Sequence, residues 1–94
     1  MAEERAVSEE EREQDEIRFR IVEHIGVLWS SAAGWSRELN LVSWNDRPAK
    51  FDIREWTPDH SKMSRGITLT DFEMNKVCEL IMQRAAARVI DEAE

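Results

Sequence analysis

The four residues Thr70-Asp71-Phe72-Glu73 restrict this chain more than any others. They form a capping box: the Thr70 hydroxyl can accept from the amide of Glu73, while the Glu73 carboxylate reaches back to the amide of Thr70. A helix must therefore start here. Met74, Val77, Cys78, Ile81, Ala85 and Val89 follow at helical spacing as an apolar stripe, widened by Leu80, Met82 and Ile90. The spacing predicts a helix over about 71–91, roughly 30 Å long. A typical sheet strand spans only about 20 Å. The helix therefore outreaches an ordinary sheet, and its apolar C-terminal half needs another surface to cover. Another copy of the chain is the simplest one, which predicts a homodimer through the helix.

Upstream of the helix the period changes to two. Phe19, Ile21, Ile25 and Val27 share one parity in a Val/Ile-rich stretch, 18–30, interrupted by Glu23, and Gly26 marks a bend or bulge. Ser30 to Gly34 is a small-residue loop short enough for a hairpin. In 35–45, Trp35, Arg37, Leu39 and Leu41 take one side, and Ser36, Glu38, Asn40, Val42 and Trp44 the other. Leu39 and Leu41 are read as core, which sends Trp44 outward. Asn45-Asp46-Arg47-Pro48 closes a second hairpin. A third strand, 49–57, presents Lys50, Asp52, Arg54 and Trp56 on one face and Phe51, Ile53 and Glu55 on the other. It ends at Pro58. A polar loop and a short fourth strand, 63–69, lead into the helix. The order is a four-stranded antiparallel meander followed by one C-terminal helix packed on one face, an α+β domain over 17–94.

The formal charge of -7 misleads, because it sits in the tails. Residues 1–16 carry eight acids against Arg5 and Arg12, and have too few apolar side chains to repay ordering, so they read as a disordered acidic tail. Residues 17–90 hold eleven Lys and Arg against nine Asp and Glu, a slightly cationic domain. The tail is expected to be a solubilising arm or to compete with an anionic ligand. With a run of charges at the start no secretory leader is expected, and no apolar stretch reaches the length of a membrane span. Cys78 is the single cysteine, which fits a reducing, cytoplasmic setting.

On the sheet face left open by the helix, parity collects Trp44, Lys50, Arg54 and Trp56, joined by Arg47 from the turn and by Lys62 and Arg65 beyond. Aromatics interleaved with cations suit single-stranded nucleic acid: bases stack on indoles while cations follow phosphates. Gly66 leaves room for a nucleic-acid backbone or for a neighbouring strand, or marks a bulge. The competing readings make the chain a protein-interaction adaptor, or a dimerising scaffold with buried tryptophans and solvated cations. Trp29 and Trp35 flank the first hairpin loop and read as packing over a sheet end. No metal-ligand spacing, nucleophile motif or glycine-rich phosphate loop is present, so neither a cofactor nor an enzymatic activity is expected.

Phe51-Asp52-Ile53-Arg54-Glu55-Trp56, a polar loop, and then Arg65-Gly66-Ile67-Thr68-Leu69 entering a capped helix resemble the single-stranded-DNA-binding domain of the transcriptional positive cofactor four family. Trp35 to Trp44, with its ELNLVSWN core, and Lys50 to Leu69 resemble a compact bacterial branch of it. The resemblance spans roughly residues 18–90. It implies a homodimer with curved sheets whose cations and aromatics hold single-stranded DNA, RNA being the less expected ligand. It places Arg54 at the family's basic third-strand position, Trp56 near its aromatic partner, Trp44 near an aromatic ending the second strand, Arg65 before the family's glycine, and Lys62 near a further basic site. A role in transcription regulation or DNA maintenance follows, in the cytoplasm or on the nucleoid of a bacterium.

Overall fold

The computed structural model describes residues 17–93; the acidic tail expected over 1–16 lies outside the described residues. Four strands, β1 (Phe19–Ser30), β2 (Ser36–Trp44), β3 (Lys50–Trp56) and β4 (Ile67–Leu69), precede one helix, α1 (Asp71–Ala93). The strands form a single antiparallel sheet in chain order. Asn45 and Asp46 both adopt left-handed backbone (φ 50° and 64°), and the Arg47 amide donates to the Trp44 carbonyl at 2.9 Å. That is the type I′ turn whose twist matches a hairpin, and its residue types are the reason it forms. Thr70 caps α1 as its sequence dictates: the Glu73 amide donates to Thr70 Oγ1 at 3.1 Å, and the Thr70 amide donates to Glu73 Oε1 at 2.9 Å.

The sheet is strongly curled. Eleven residue steps of β1 run against eight of β2, with the surplus taken up at Val22, Ile25 and Leu28. A bulge stands beside Gly26, as its sequence suggests, and two more flank it. Each adds bend and twist to the strand. Phe19 pairs with Trp44 at one end of β2, and Trp56 pairs with Ser36 at the other. On a flat strand these ends would lie about 26 Å apart. Yet the rings of Phe19 and Trp56 have centroids 5.2 Å apart, so the face carrying them is the inside of a tight curve.

That curvature inverts the expected burial. Val42, Asn40, Asp52 and Trp56, assigned by parity to the open face, are fully buried, and Glu38 is 3% exposed. Leu39, Leu41, Phe51 and Ile53, expected as core, are only half-buried. Alternation finds which residues share a face; it does not say which face is concave. The segment 57–66 then folds over the concave side.

The fourth strand is also shorter than the 63–69 expected. Met63 makes an isolated bridge to Trp56, while Ile53 pairs with Ile67. Three steps on β3 face four on the segment 63–67, and the extra residue lies within 64–66. A Cβ on Gly66 would run into the Arg54 side chain and the Ile53 carbonyl, so here the missing side chain admits a neighbouring strand.

Among the elements, α1 touches β3 and β4 alone, and Met74 is its one buried apolar side chain among the described residues. Beyond it the stripe is open: Leu80 is 55% exposed and Met82 71%. Cys78, part of that stripe, is exposed in the single chain, where none of the described residues covers the helix. No described helix is long and apolar enough to cross a membrane.

Candidate nucleic-acid interface

Arg54 is the hub of the concave face, and its role differs from the one parity assigns. Its Nε and Nη2 donate to the two oxygens of Asp52 at 2.7 and 2.8 Å, and its Nη1 donates to the Ser64 carbonyl at 3.3 Å. The guanidinium plane lies 4.6 Å from the centroid of the Trp44 ring. Asp52 also accepts from the Thr68 hydroxyl at 3.2 Å. A bidentate, nearly buried pair of this kind leaves the guanidinium little capacity for a phosphate. Arg54 is a clamp: it neutralises Asp52, holds the 63–65 segment against β3, and fixes one face of Trp44.

Trp56 is likewise behind the surface. Its ring packs between Phe19 and His60 (centroids 5.2 and 5.5 Å), and none of it is exposed. It supports the site and offers no stacking surface, a correction to the exposed partner expected from parity. Its indole N–H and that of Trp44 are buried without a partner among the described residues. Orphaned donors of this kind cost stability and need a reason to persist.

Beside Trp56 lies a second polar cluster. Glu38 accepts from Ser36 Oγ at 2.5 Å and from Asn40 Nδ2 at 3.2 Å, and His60 Nε2 lies 3.0 Å from both of its oxygens. His24 Nδ1 contacts Asn40 Oδ1 at 2.7 Å. Burial pushes the Glu38 carboxyl up, but the bonds from Ser36, His60 and Asn40 outweigh it and hold the group below its ordinary range. The two histidines, unrelated in sequence, thus converge on one carboxylate. Among the described residues no three His, Cys, Asp or Glu side chains are arranged to hold a metal ion.

In front of these supports lies an open groove of about 820 Å³, walled by Phe19, Trp35, Trp44, Arg54 and Met63, with Lys62 and Arg65 at its rim. Lys62 and Arg65 are exposed, and their side chains have no ionic partner among the described residues. Lys62 belongs to a compact loop. His60 N donates to the Thr57 carbonyl at 2.9 Å, Thr57 N to the Lys62 carbonyl at 3.1 Å, and Lys62 N to Thr57 Oγ1 at 3.1 Å. Asp59 closes that loop from the Ser61 amide, the Ser61 hydroxyl and the Thr57 hydroxyl, which together bring its carboxyl down to about 2.

Of the residues singled out by sequence, the structure brings Trp44, Arg54, Lys62 and Arg65 together at the groove. Arg47 and Lys50 are exposed on the β2–β3 hairpin, outside it. Gly66 lies behind it, against Arg54. Sequence reasoning missed Phe19 and gave Trp35 a packing role. Phe19 was legible as the residue opposite Trp44 once the first hairpin's register is fixed; Trp35 needed the curl. Trp29 lies outside the groove, 51% exposed, with the Arg37 guanidinium 5.5 Å from its ring and Arg37 paired to Glu55 at 2.8 Å.

A curled four-stranded meander, one capped C-terminal helix, and a basic loop crossing the concave face coincide with a family match. The family model for Transcriptional Coactivator p15 (PC4) aligns with residues 31–80, just over half of the chain. The chain belongs to the PC4 family. The match runs from the first hairpin loop to Leu80 of α1, so every groove residue except Ile17 and Phe19 falls within it. An uncharacterized protein of Treponema pallidum (strain Nichols) is 45% identical over 67 residues, covering 71% of this chain and 79% of the relative. The PC4 family binds single-stranded DNA and is not an enzyme family.

Proposed function

We propose that this PC4-family protein binds single-stranded DNA with little sequence preference, as a homodimer, in transcription regulation or DNA maintenance within the cytoplasm or nucleoid, and without enzymatic activity. One observation carries the reading: an aromatic-walled groove rimmed by Lys62 and Arg65, two cations that no acid neutralises among the described residues. Bases stack on Trp44 and Trp35, and the two cations follow the phosphates, with Arg47 and Lys50 extending the path along the hairpin. Arg54 and Trp56 act from behind, and Gly66 keeps β4 close enough for Arg54 to clamp. A sequence-tolerant site fits this chemistry, because every base has a face to stack and every nucleotide a phosphate. The homodimer covers the apolar length of α1 that the single chain leaves in water.

The test is quenching of intrinsic tryptophan fluorescence by an oligo-dT strand at two salt concentrations, with the matching RNA strand as a second arm. Binding should weaken with salt. Each of Lys62→Ala and Arg65→Ala should flatten the log–log salt slope by about 0.7, the increment for one phosphate on a single strand. Trp44→Ala should weaken binding by about 1–3 kcal/mol. A signal that does not respond to DNA at low salt sinks the reading; tighter binding of the RNA strand would change the ligand and keep the site.

A further inference from the structure

We propose that His60 is a positioning residue for the single-strand site: its bond to Glu38 latches the 57–62 loop over the concave face and so sets Lys62 at the groove rim. The inference rests on the proposed single-strand binding and names a control on it.

The latch has four parts. Glu38 is a nearly buried acceptor on β2, and His60 Nε2 is centred on its two oxygens at 3.0 Å each. The His60 ring packs on the buried Trp56 ring, which fixes its plane. His60 itself sits at φ 59°, left-handed backbone that side-chain-bearing residues seldom adopt, so something must hold it there. Finally, the hydrogen bonds that join Thr57 to His60 and to Lys62 make the loop one unit. What moves His60 moves Lys62. Arg65, by contrast, is tied to β3 through Ser64, whose amide donates to the Glu55 carbonyl at 2.9 Å and whose carbonyl accepts from Arg54.

The other groups facing this contact are Ser36 and Asn40 of β2, His24 of β1 through Asn40 and at 3.4 Å from Glu38 Oε1, and Trp56 of β3. Of the groups bonded to the Glu38 carboxylate among the described residues, His60 is the one that belongs to the 57–62 loop, so it joins that loop to β2. Arg54 is occupied by Asp52.

The experiment measures oligo-dT affinity of the full chain at fixed pH and salt. His60→Ala removes the donor and should weaken binding about fivefold, the net contribution of one hydrogen bond. His60→Gln keeps a donor and should restore the native affinity. In a Lys62→Ala background the His60→Ala change should no longer alter affinity. His24→Gln should bind as the native chain does, since His24 does not touch the loop. A ligand-free readout separates this inference from the binding proposal: Trp56 emission should shift in His60→Ala and return in His60→Gln. If emission shifts but DNA never binds, the binding proposal fails and the latch stands. If DNA binds the native chain and His60→Ala equally, the latch is overturned.

Discussion

Replacing Arg54 should damage the fold before it damages any DNA contact. Asp52 is fully buried, and its charge is met by two guanidinium bonds of 2.7 and 2.8 Å and one Thr68 hydroxyl at 3.2 Å. Arg54→Ala removes the cation and leaves a buried carboxylate with the Thr68 hydroxyl as its remaining donor among the described residues. Breaking a buried pair from one side costs about 3–5 kcal/mol, a large share of the roughly 5–15 kcal/mol that holds a small domain folded. The same change frees the 63–65 segment and uncovers Trp44. Removing both partners together, as in Asp52→Leu with Arg54→Met, eliminates the stranded charge and should recover most of the loss. Urea denaturation followed by tryptophan emission, at one fixed protein concentration so that dimerisation does not shift the midpoint, measures both variants. Arg54 is not a structural clamp if Arg54→Ala loses less than about 1 kcal/mol, or if the double variant is no more stable than the single one. In either case Arg54 would be carrying less structure than its bonds imply, and a direct phosphate contact would become the better account.

Three further outcomes follow from the packing. Gly66→Ala forces a methyl group into the Arg54 side chain and the Ile53 carbonyl, and should cost about 1–3 kcal/mol by the same denaturation assay; a neutral result would mean that β4 can shift away. Asp59 has a folded-state pKa of about 2, below its ordinary 3.8, so its contribution is fully present above about pH 4 and is lost as pH falls towards 2. The difference in urea midpoint between the native chain and Asp59→Asn should therefore shrink across that interval, and a constant difference would contradict the assignment. Ile81→Asp, on the uncovered stripe of α1, should convert a dimer to monomers in sedimentation equilibrium while Thr70 still caps the helix; monomers in the native chain would remove the basis for the dimer.

The elements were legible because local chemistry writes them. A threonine and a glutamate three residues apart start α1, two residues suited to left-handed backbone close the second hairpin, and alternation delimits the long strands. Inside and outside were not legible. Alternation places Asn40, Val42, Asp52, Arg54 and Trp56 on a common face, and the helix is then assigned to the other. The curl goes with three bulges in β1, of which Gly26 announces only the one at Ile25; nothing at Val22 or Leu28 distinguishes a bulge from ordinary strand. The burial of Asp52 and Glu38 was hidden for a related reason. A carboxylate reads as solvated until its partners are known; Arg54 stands two residues from Asp52, but Thr68 lies on the neighbouring strand and His60 lies 22 residues from Glu38 in the loop. Lys62 and Arg65 were found because exposure is what a cation does by default; their alignment along a groove is a property of the folded loop.

The irregularity of β1 has an effect at the sheet's rim as well as at its centre. A twelve-residue edge strand rich in valine and isoleucine is ordinarily a template on which foreign strands can grow. Here a surplus residue interrupts the repeat about every third position, so an incoming strand cannot keep step with it for more than a few bonds. The opposite rim is β4, only three residues long. The domain thus ends on one side in a broken ladder and on the other in a very short one, and further copies can meet it by side-chain contact far more readily than by extending the sheet.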